Sequence, residues 1–227
     1  HSDDDGILWL TLDKQDTETN VLSVSVLEQL DSLLDEINNN PPKAIIFRSG
    51  KAKGFIAGAD VNEFLEVTST QEALIMKKRG QTLFSRIESL PCPTVALIEG
   101  FCMGGGTELA LACDYRVALD DAGTRIGLPE VKLGIHPAYG GLVRATSMIN
   151  PLQSLEMMLS GRALTPSAAR AIGLVDSAQP KRQIERAARN IALTPPDRQS
   201  MPLIGKALSL PGIRNLLSGY MKKHVAK

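Results

Sequence analysis

The chain has 227 residues, which is enough for one sizeable domain with a small appendage. Its 25 basic and 25 acidic residues give a formal net charge of zero. This balance argues against a nucleic-acid-binding protein, because such a protein needs a basic surface to neutralise phosphates.

Strand and helix signals alternate along the chain. Apolar, β-favouring runs predict strands at residues 7–12, 43–48, 94–99 and 114–119. Helices are predicted behind capping signals, which are Ser25 with Glu28, Asp60 with Glu63, Ser69 with Glu72, Asn150 before Pro151, and Thr165 before Pro166. This alternation is typical of an α/β fold with mainly parallel strand pairing.

The composition changes after about Ser177. Residues 178–227 are polar and basic, and prolines interrupt them, which predicts a helical tail behind a core of residues 1–177.

The cysteines and the apolar runs indicate the cellular compartment in which the protein is expected. Cys92, Cys102 and Cys113 lie in or beside apolar segments, so we predict reduced core thiols. The sequence shows no apolar run of membrane-spanning length and no signal-peptide pattern. We therefore expect a soluble, cytoplasmic protein, with an organelle as the alternative.

A glycine-dense turn at residues 100–106 leads directly into an apolar helical stretch. Its backbone can approach a ligand closely, and the free N–H groups of the helix start can bind a carbonyl oxygen or a phosphate. Nucleotide binding is disfavoured because the turn lacks a Lys-Ser/Thr ending, and Leu109 stands where a dinucleotide-binding glycine belongs. Glu108, in the first helical turn, is either a helix-stabilising charge or a catalytic carboxylate.

Two further segments carry candidate groups. Glu130 lies in an otherwise apolar stretch and is solvated, paired with Lys132 or Arg125, or catalytic. Residues 54–60 have small side chains around Gly58, so their N–H groups can face a ligand, or the segment is an ordinary loop entering a helix.

In this order the motifs resemble those of the crotonase (enoyl-CoA hydratase/isomerase) superfamily. The matching segments are residues 54–60, 93–100, 104–109, 125–130, 134–141 and 161–176. The resemblance is closest to the N-terminal hydratase part of the multifunctional fatty-acid oxidation complex α subunit. In those proteins a hydroxyacyl-CoA dehydrogenase part follows in the same chain.

The resemblance implies a crotonase-like spiral of repeated ββα units with a helical C-terminal tail. Residues 1–177 would be the crotonase core, and residues 178–227 would begin a linker to an absent dehydrogenase part. We therefore expect the chain to be a fragment, with His1-Ser2 as an expression remnant.

The resemblance also implies a site. The main-chain N–H groups of Ala57 and Gly105 would form an oxyanion hole, and Glu108 and Glu130 would act on water and substrate. Substrate contacts are expected from Lys51, Lys53, Ile56, Gly58, Ala59, Asp60, Gly104, Leu128 and Pro137. The lysines at 51 and 53, or those at 222 and 223, are candidates for the coenzyme A phosphates. His136 and Tyr139, where many relatives have smaller or apolar residues, either reshape the acyl pocket or are structural.

The implied reaction is the addition of water across the 2,3 double bond of a 2-enoyl-CoA in fatty-acid β-oxidation, which makes the chain an enoyl-CoA hydratase. The alternatives are a 3,2-enoyl-CoA isomerase at the same site and a non-catalytic acyl-CoA-binding module. We expect no metal and no separate cofactor, because coenzyme A is part of the substrate. Candidate partners are further copies of the chain and, for the full-length protein, a thiolase subunit.

Overall fold

A computed structural model of the chain describes residues 1–197, apart from the side chain of Phe64. The strands are β1 (Ile7–Leu12), β2 (Ala44–Ser49), β3 (Gly54–Ile56), β4 (Thr94–Ile98), β5 (Phe101–Met103), β6 (Tyr115–Leu119), β7 (Arg125–Gly127) and β8 (Ser177–Gln179). The α-helices are α1 (Val24–Asn39), α2 (Val61–Leu65), α3 (Thr70–Glu88), α4 (Gly105–Ala112), α5 (Gly141–Met148), α6 (Pro151–Ser160), α7 (Pro166–Ala171) and α8 (Lys181–Leu193). A 3-10 helix spans Glu130–Leu133.

The strands form two parallel sheets. The larger sheet has the order β1-β2-β4-β6-β8 and the smaller one the order β3-β5-β7. Parallel neighbours need crossover connections, which the helices supply. In the pairs β2-β3, β4-β5 and β6-β7, the first strand joins the larger sheet and the second joins the smaller one. The predicted α/β fold of repeated ββα units is confirmed.

The inner strands of the larger sheet, β2, β4 and β6, are buried on both faces. Along β2, Ile45 and Phe47 belong to the main core, while Ala44 and Ile46 belong to a second core that α8 covers through Ile184 and other apolar residues. Strands buried on both faces read as continuous apolar runs, which is why the sequence revealed them. Since α8 packs on this sheet, the packed core extends beyond the predicted boundary at residue 177 to at least residue 193. The rest of the predicted tail, residues 198–227, lies outside the described residues.

Most capping predictions are confirmed, including that of Asp60, whose Oδ1 accepts the N–H of Asn62 at 3.2 Å, but the Ser25 cap and the partner predicted for Glu63 are wrong. Ser69, Asn150 and Thr165 each accept a hydrogen bond from a first-turn N–H of their helix, as predicted. Helix α1, however, is capped by Ser23 and not by Ser25. Glu63 does not pair with the Asp60 cap but accepts the N–H of Val24 with both carboxylate oxygens at 2.9 Å. A side chain of α2 therefore fastens α2 to the start of α1.

Within residues 1–197, no helix is both long enough and apolar enough to cross a membrane.

Candidate active site

A cavity of about 100 Å³ lies where the loops after β3 and β5 meet the start of α4 and the 3-10 helix. Residues that are far apart in the sequence converge on it, and seven of the predicted site residues line its wall. These seven are Ala57, Gly58, Ala59, Gly104, Gly105, Glu108 and Glu130. Apolar side chains, among them Leu133 and Ile135, complete the lining.

Glu108 lies in the first turn of α4 and is only 2% exposed. Its Oε1 accepts the main-chain N–H groups of Tyr139 and Gly141, both at 2.8 Å. Burial raises the pKa of Glu108, whereas these two hydrogen bonds and the charge of Arg144 oppose that rise. The carboxylate is therefore held in one position by donors that favour its ionised form.

Glu130 begins the 3-10 helix that follows β7, and it is 9% exposed. Neither of its carboxylate oxygens has a hydrogen-bond partner among the described residues. Burial, reinforced by the negative charge of Glu108, raises the pKa of Glu130 to about 7. The two glutamates thus share one cavity in different environments, and near neutral pH Glu130 retains a proton in a substantial fraction of molecules.

The predicted use of Ala57 as an oxyanion donor is wrong. Its N–H donates to the carbonyl oxygen of Asn20 at 2.9 Å and is not available to a ligand. Sequence reasoning placed the donor on this residue from the motif, but the pairing of the loop with residues 20–22 decides which N–H groups are free.

Among the described residues, it is the N–H of Ala59 that has no hydrogen-bond partner. Ala59 forms a parallel bridge with Leu22, in which the Leu22 N–H donates to Gly58 and the Asp60 N–H donates to Leu22. In such a bridge the amide of Ala59 itself points away from Leu22. Gly58 has a φ of +134°, a conformation that residues with a side chain rarely adopt. This conformation sets the direction of the peptide group that carries the Ala59 N–H.

The amide of Ala59 faces the start of α4. A Cβ atom placed on Gly105 would lie 3.4 Å from the Ala59 nitrogen. In the part of the chain that the structure describes, the N–H groups of Ala59 and Gly105 have no hydrogen-bond partner. They line the cavity together with the two glutamates, so a carbonyl oxygen placed there meets two main-chain donors.

Asn20 is a buried residue that sequence reasoning missed. The side-chain NH₂ group of Asn20 donates to the main-chain carbonyl oxygens of Leu12 at 2.8 Å and Phe55 at 3.2 Å. The main-chain carbonyl oxygen of Asn20 accepts the N–H of Ala57. It therefore ties the end of β1 to the loop that carries Ala59. The polar stretch in which it lies offers no signal that would separate it from a surface asparagine.

Six predicted substrate contacts do not line the cavity. Ile56, Leu128 and Pro137 are buried in the protein interior. The three charged residues form ion pairs, which join Lys51 to Asp13, Lys53 to Glu18, and Asp60 to Lys14. Lys222 and Lys223 lie outside the described residues.

Comparisons with known proteins identify the family and the fold. The profile of the Enoyl-CoA hydratase/isomerase family matches residues 2–196. The fatty acid oxidation complex subunit alpha of Aliivibrio fischeri is 41% identical over 228 residues, covering 99% of this chain and 33% of the relative. The chain thus spans about a third of the length of that relative.

Solved structures show the same fold. An enoyl-CoA hydratase from Bacillus anthracis superposes with a TM-score of 0.75 at 32% identity, covering 82% of this chain and 71% of the other. An enoyl-CoA hydratase from Thermoplasma volcanium superposes with a TM-score of 0.76 at 26% identity, covering 95% and 81%.

Proposed function

The chain belongs to the enoyl-CoA hydratase/isomerase family, and we propose that it is an enoyl-CoA hydratase of fatty-acid β-oxidation, adding water across the 2,3 double bond of a 2-enoyl-CoA. One observation carries the proposal. Two buried carboxyl groups share a cavity with two main-chain N–H groups; among residues 1–197, one carboxyl group is held by N–H donors, and the other carboxyl group and the two N–H groups have no hydrogen-bond partner.

Hydration of a 2-enoyl thioester is a conjugate addition, in which negative charge develops on the thioester oxygen. The N–H groups of Ala59 and Gly105 stabilise that charge. Both belong to backbone that is already fixed, at the Leu22 bridge and at the start of α4, so little reorganisation is needed during the reaction.

The carboxyl groups divide the proton transfers. Ionised Glu108 takes a proton from water as the water oxygen bonds to C3. Protonated Glu130 gives its proton to C2 as the enolate collapses. The net change adds one hydroxyl group and one proton to the substrate, and a proton transfer from Glu108 to Glu130 restores the starting state.

Incubation with crotonyl-CoA tests the function, because hydration removes the ultraviolet absorbance of the conjugated thioester. A parallel incubation with a 3-enoyl-CoA measures isomerisation, which creates that absorbance. Faster turnover of the 3-enoyl-CoA would favour the isomerase. If calorimetry detects binding of acyl-CoA but neither substrate is turned over, the result would support a non-catalytic acyl-CoA-binding module.

We also propose that the chain is the hydratase part of a longer protein that acts within a cytoplasmic fatty-acid oxidation assembly, with a thiolase subunit as its partner. The name and length of the Aliivibrio fischeri relative support this proposal. Size-exclusion chromatography of the full-length protein mixed with a thiolase subunit tests it, and separate elution of the two would contradict it.

The pKa of Glu130 predicts a pH dependence of hydration. We expect kcat/KM for crotonyl-CoA to fall about tenfold per pH unit above roughly pH 7, because the free enzyme then loses the proton that C2 needs. Protonation of Glu108 should cause a second fall at acid pH. Initial rates between pH 4 and pH 10 measure both limbs, and a flat profile from pH 6 to pH 10 would contradict the role of Glu130.

Replacing single main-chain amides by esters tests the oxyanion donors. An ester at Ala59, introduced through the α-hydroxy acid, should lower kcat by about 10²–10³-fold, as loss of one such donor usually does. The same replacement at Ala57 is the matched control, because its N–H bonds to Asn20. The control should cost about 1 kcal/mol of stability with little change in kcat. A larger loss of kcat at Ala57 than at Ala59 would reverse the assignment.

A further inference from the structure

Tyr139 separates two cavities. The residue lies in the segment before α5 and is 4% exposed. It lines the 100 Å³ cavity of the candidate site, and it also lines a cleft of about 590 Å³ on its other side. The walls of that cleft include Gln81, Ser85, Leu111, Val143 and Met148.

The ring of Tyr139 is held against α3. A Cβ atom on Gly80 would lie 2.3 Å from Tyr139 Cδ1, so the glycine provides the space for the ring. Phe84 meets the ring edge-on, with centroids 5.6 Å apart and planes at 85°. On the same helix, Gln81 donates to the carbonyl of Ala138 at 2.8 Å.

The main chain of Tyr139 is fixed as well. Its N–H donates to Glu108 Oε1 at 2.8 Å, and its carbonyl accepts Arg144 Nη1 at 3.0 Å. The ring therefore cannot leave its place by a shift of the backbone without disturbing Glu108. It forms a rigid end wall of the site cavity.

The size of the site cavity limits what it can hold. At about 100 Å³ this partly open cavity is smaller than the roughly 150 Å³ of an apolar cavity that accommodates benzene, so the space that it encloses suits a short acyl group. The four-carbon crotonyl group fits this limit, whereas a ten-carbon chain needs space beyond the ring.

We propose that Tyr139 sets the acyl-chain length, closing the cavity to all but short 2-enoyl groups, while Gly80 keeps its ring in the closed position. This inference rests on the proposed function, because it places the acyl chain in this cavity. Tyr139 lines both the cavity and the larger cleft, so removal of its ring would open space between them; the cleft offers the apolar side chains of Leu111, Val143 and Met148 beside the ion pair of Arg144 with Glu88.

The test compares kcat/KM for crotonyl-CoA and 2-decenoyl-CoA. We expect the wild type to prefer crotonyl-CoA, and Tyr139→Ala to raise the decenoyl-to-crotonyl ratio by about 10–200-fold, the range that a hydrophobic pocket can discriminate. Tyr139→Phe keeps the ring and should keep the wild-type ratio. Gly80→Ala should press the ring toward the cavity and lower kcat/KM for crotonyl-CoA.

A second measurement makes the inference independent of turnover. Calorimetric Kd values for saturated butyryl-CoA and decanoyl-CoA should change in the same direction as the kinetic ratio. Tyr139→Leu, which leaves more of the core filled, replaces Tyr139→Ala if the latter does not fold. An unchanged ratio in both measurements, or a wild type that prefers decenoyl-CoA, would overturn the role of Tyr139. Failure of the wild type to hydrate any 2-enoyl-CoA would overturn the proposed function. In that case the ratio of the two Kd values would still test whether Tyr139 limits the acyl-chain length.

Discussion

Replacing Glu130 by glutamine should lower kcat for crotonyl-CoA hydration by about 10²–10⁴-fold, the usual contribution of general acid–base catalysis. The carboxyl group retains a proton near neutral pH because burial raises its pKa to about 7. Glutamine has nearly the same shape but cannot give a proton to C2. Steady-state rates with crotonyl-CoA measure the effect, and the fall of kcat/KM above pH 7 should disappear from the residual activity.

The same substitution should stabilise the protein at alkaline pH. The folded-state pKa of about 7 lies above the ordinary value of 4.5, so the folded state loses stability as pH rises from 4.5 through 7. Glutamine avoids this loss, which amounts to at most about 3.5 kcal/mol at roughly 1.4 kcal/mol per pKa unit.

Urea unfolding at pH 4 and pH 8.5 measures this difference and also serves as the folding control. We expect equal stability of the two proteins at pH 4 and a more stable variant at pH 8.5. Near wild-type kcat in the variant would refute the catalytic role. A variant less stable than the wild type at pH 8.5 would show that the carboxylate has a stabilising partner.

Replacing Glu108 by glutamine should also lower kcat by about 10²–10⁴-fold, because water at C3 then lacks its proton acceptor. The side-chain oxygen of glutamine can still accept the N–H groups of Tyr139 and Gly141, so the segment should keep its conformation. Glu99→Gln is the matched control. Glu99 forms an ion pair with Lys181 and does not line the cavity, so its removal should leave kcat unchanged.

The Glu108 variant offers a readout that a purely structural role would not produce. The negative charge of Glu108 contributes to the raised pKa of Glu130, so its removal should lower that pKa. The fall of residual kcat/KM with rising pH should then begin at a lower pH than in the wild type. Retention of wild-type kcat, or an alkaline limb that does not move, would count against a coupled pair.

The sequence predicted four of the five strands of the larger sheet and the segments that line much of the candidate site. Strands β1, β2, β4 and β6 are mostly apolar runs, because both faces of the inner three are buried, and that pattern is local. The glycine turn and the two glutamates were recognised from residue type and order. The strands β3, β5, β7 and β8 were missed because three residues are too few to show a period, and only pairing with neighbours stabilises them.

The tertiary structure decided what these groups can do. Pairing with residues 20–22, some 37 positions away in the chain, decides whether the N–H of Ala57 or that of Ala59 faces the cavity. The pKa of Glu130 depends on burial by segments that meet only in the folded chain. Residue type and spacing therefore indicated which segments line the candidate site, whereas hydrogen-bond direction and burial, which are set by contacts distant in sequence, decided which donors and carboxyl groups that site presents.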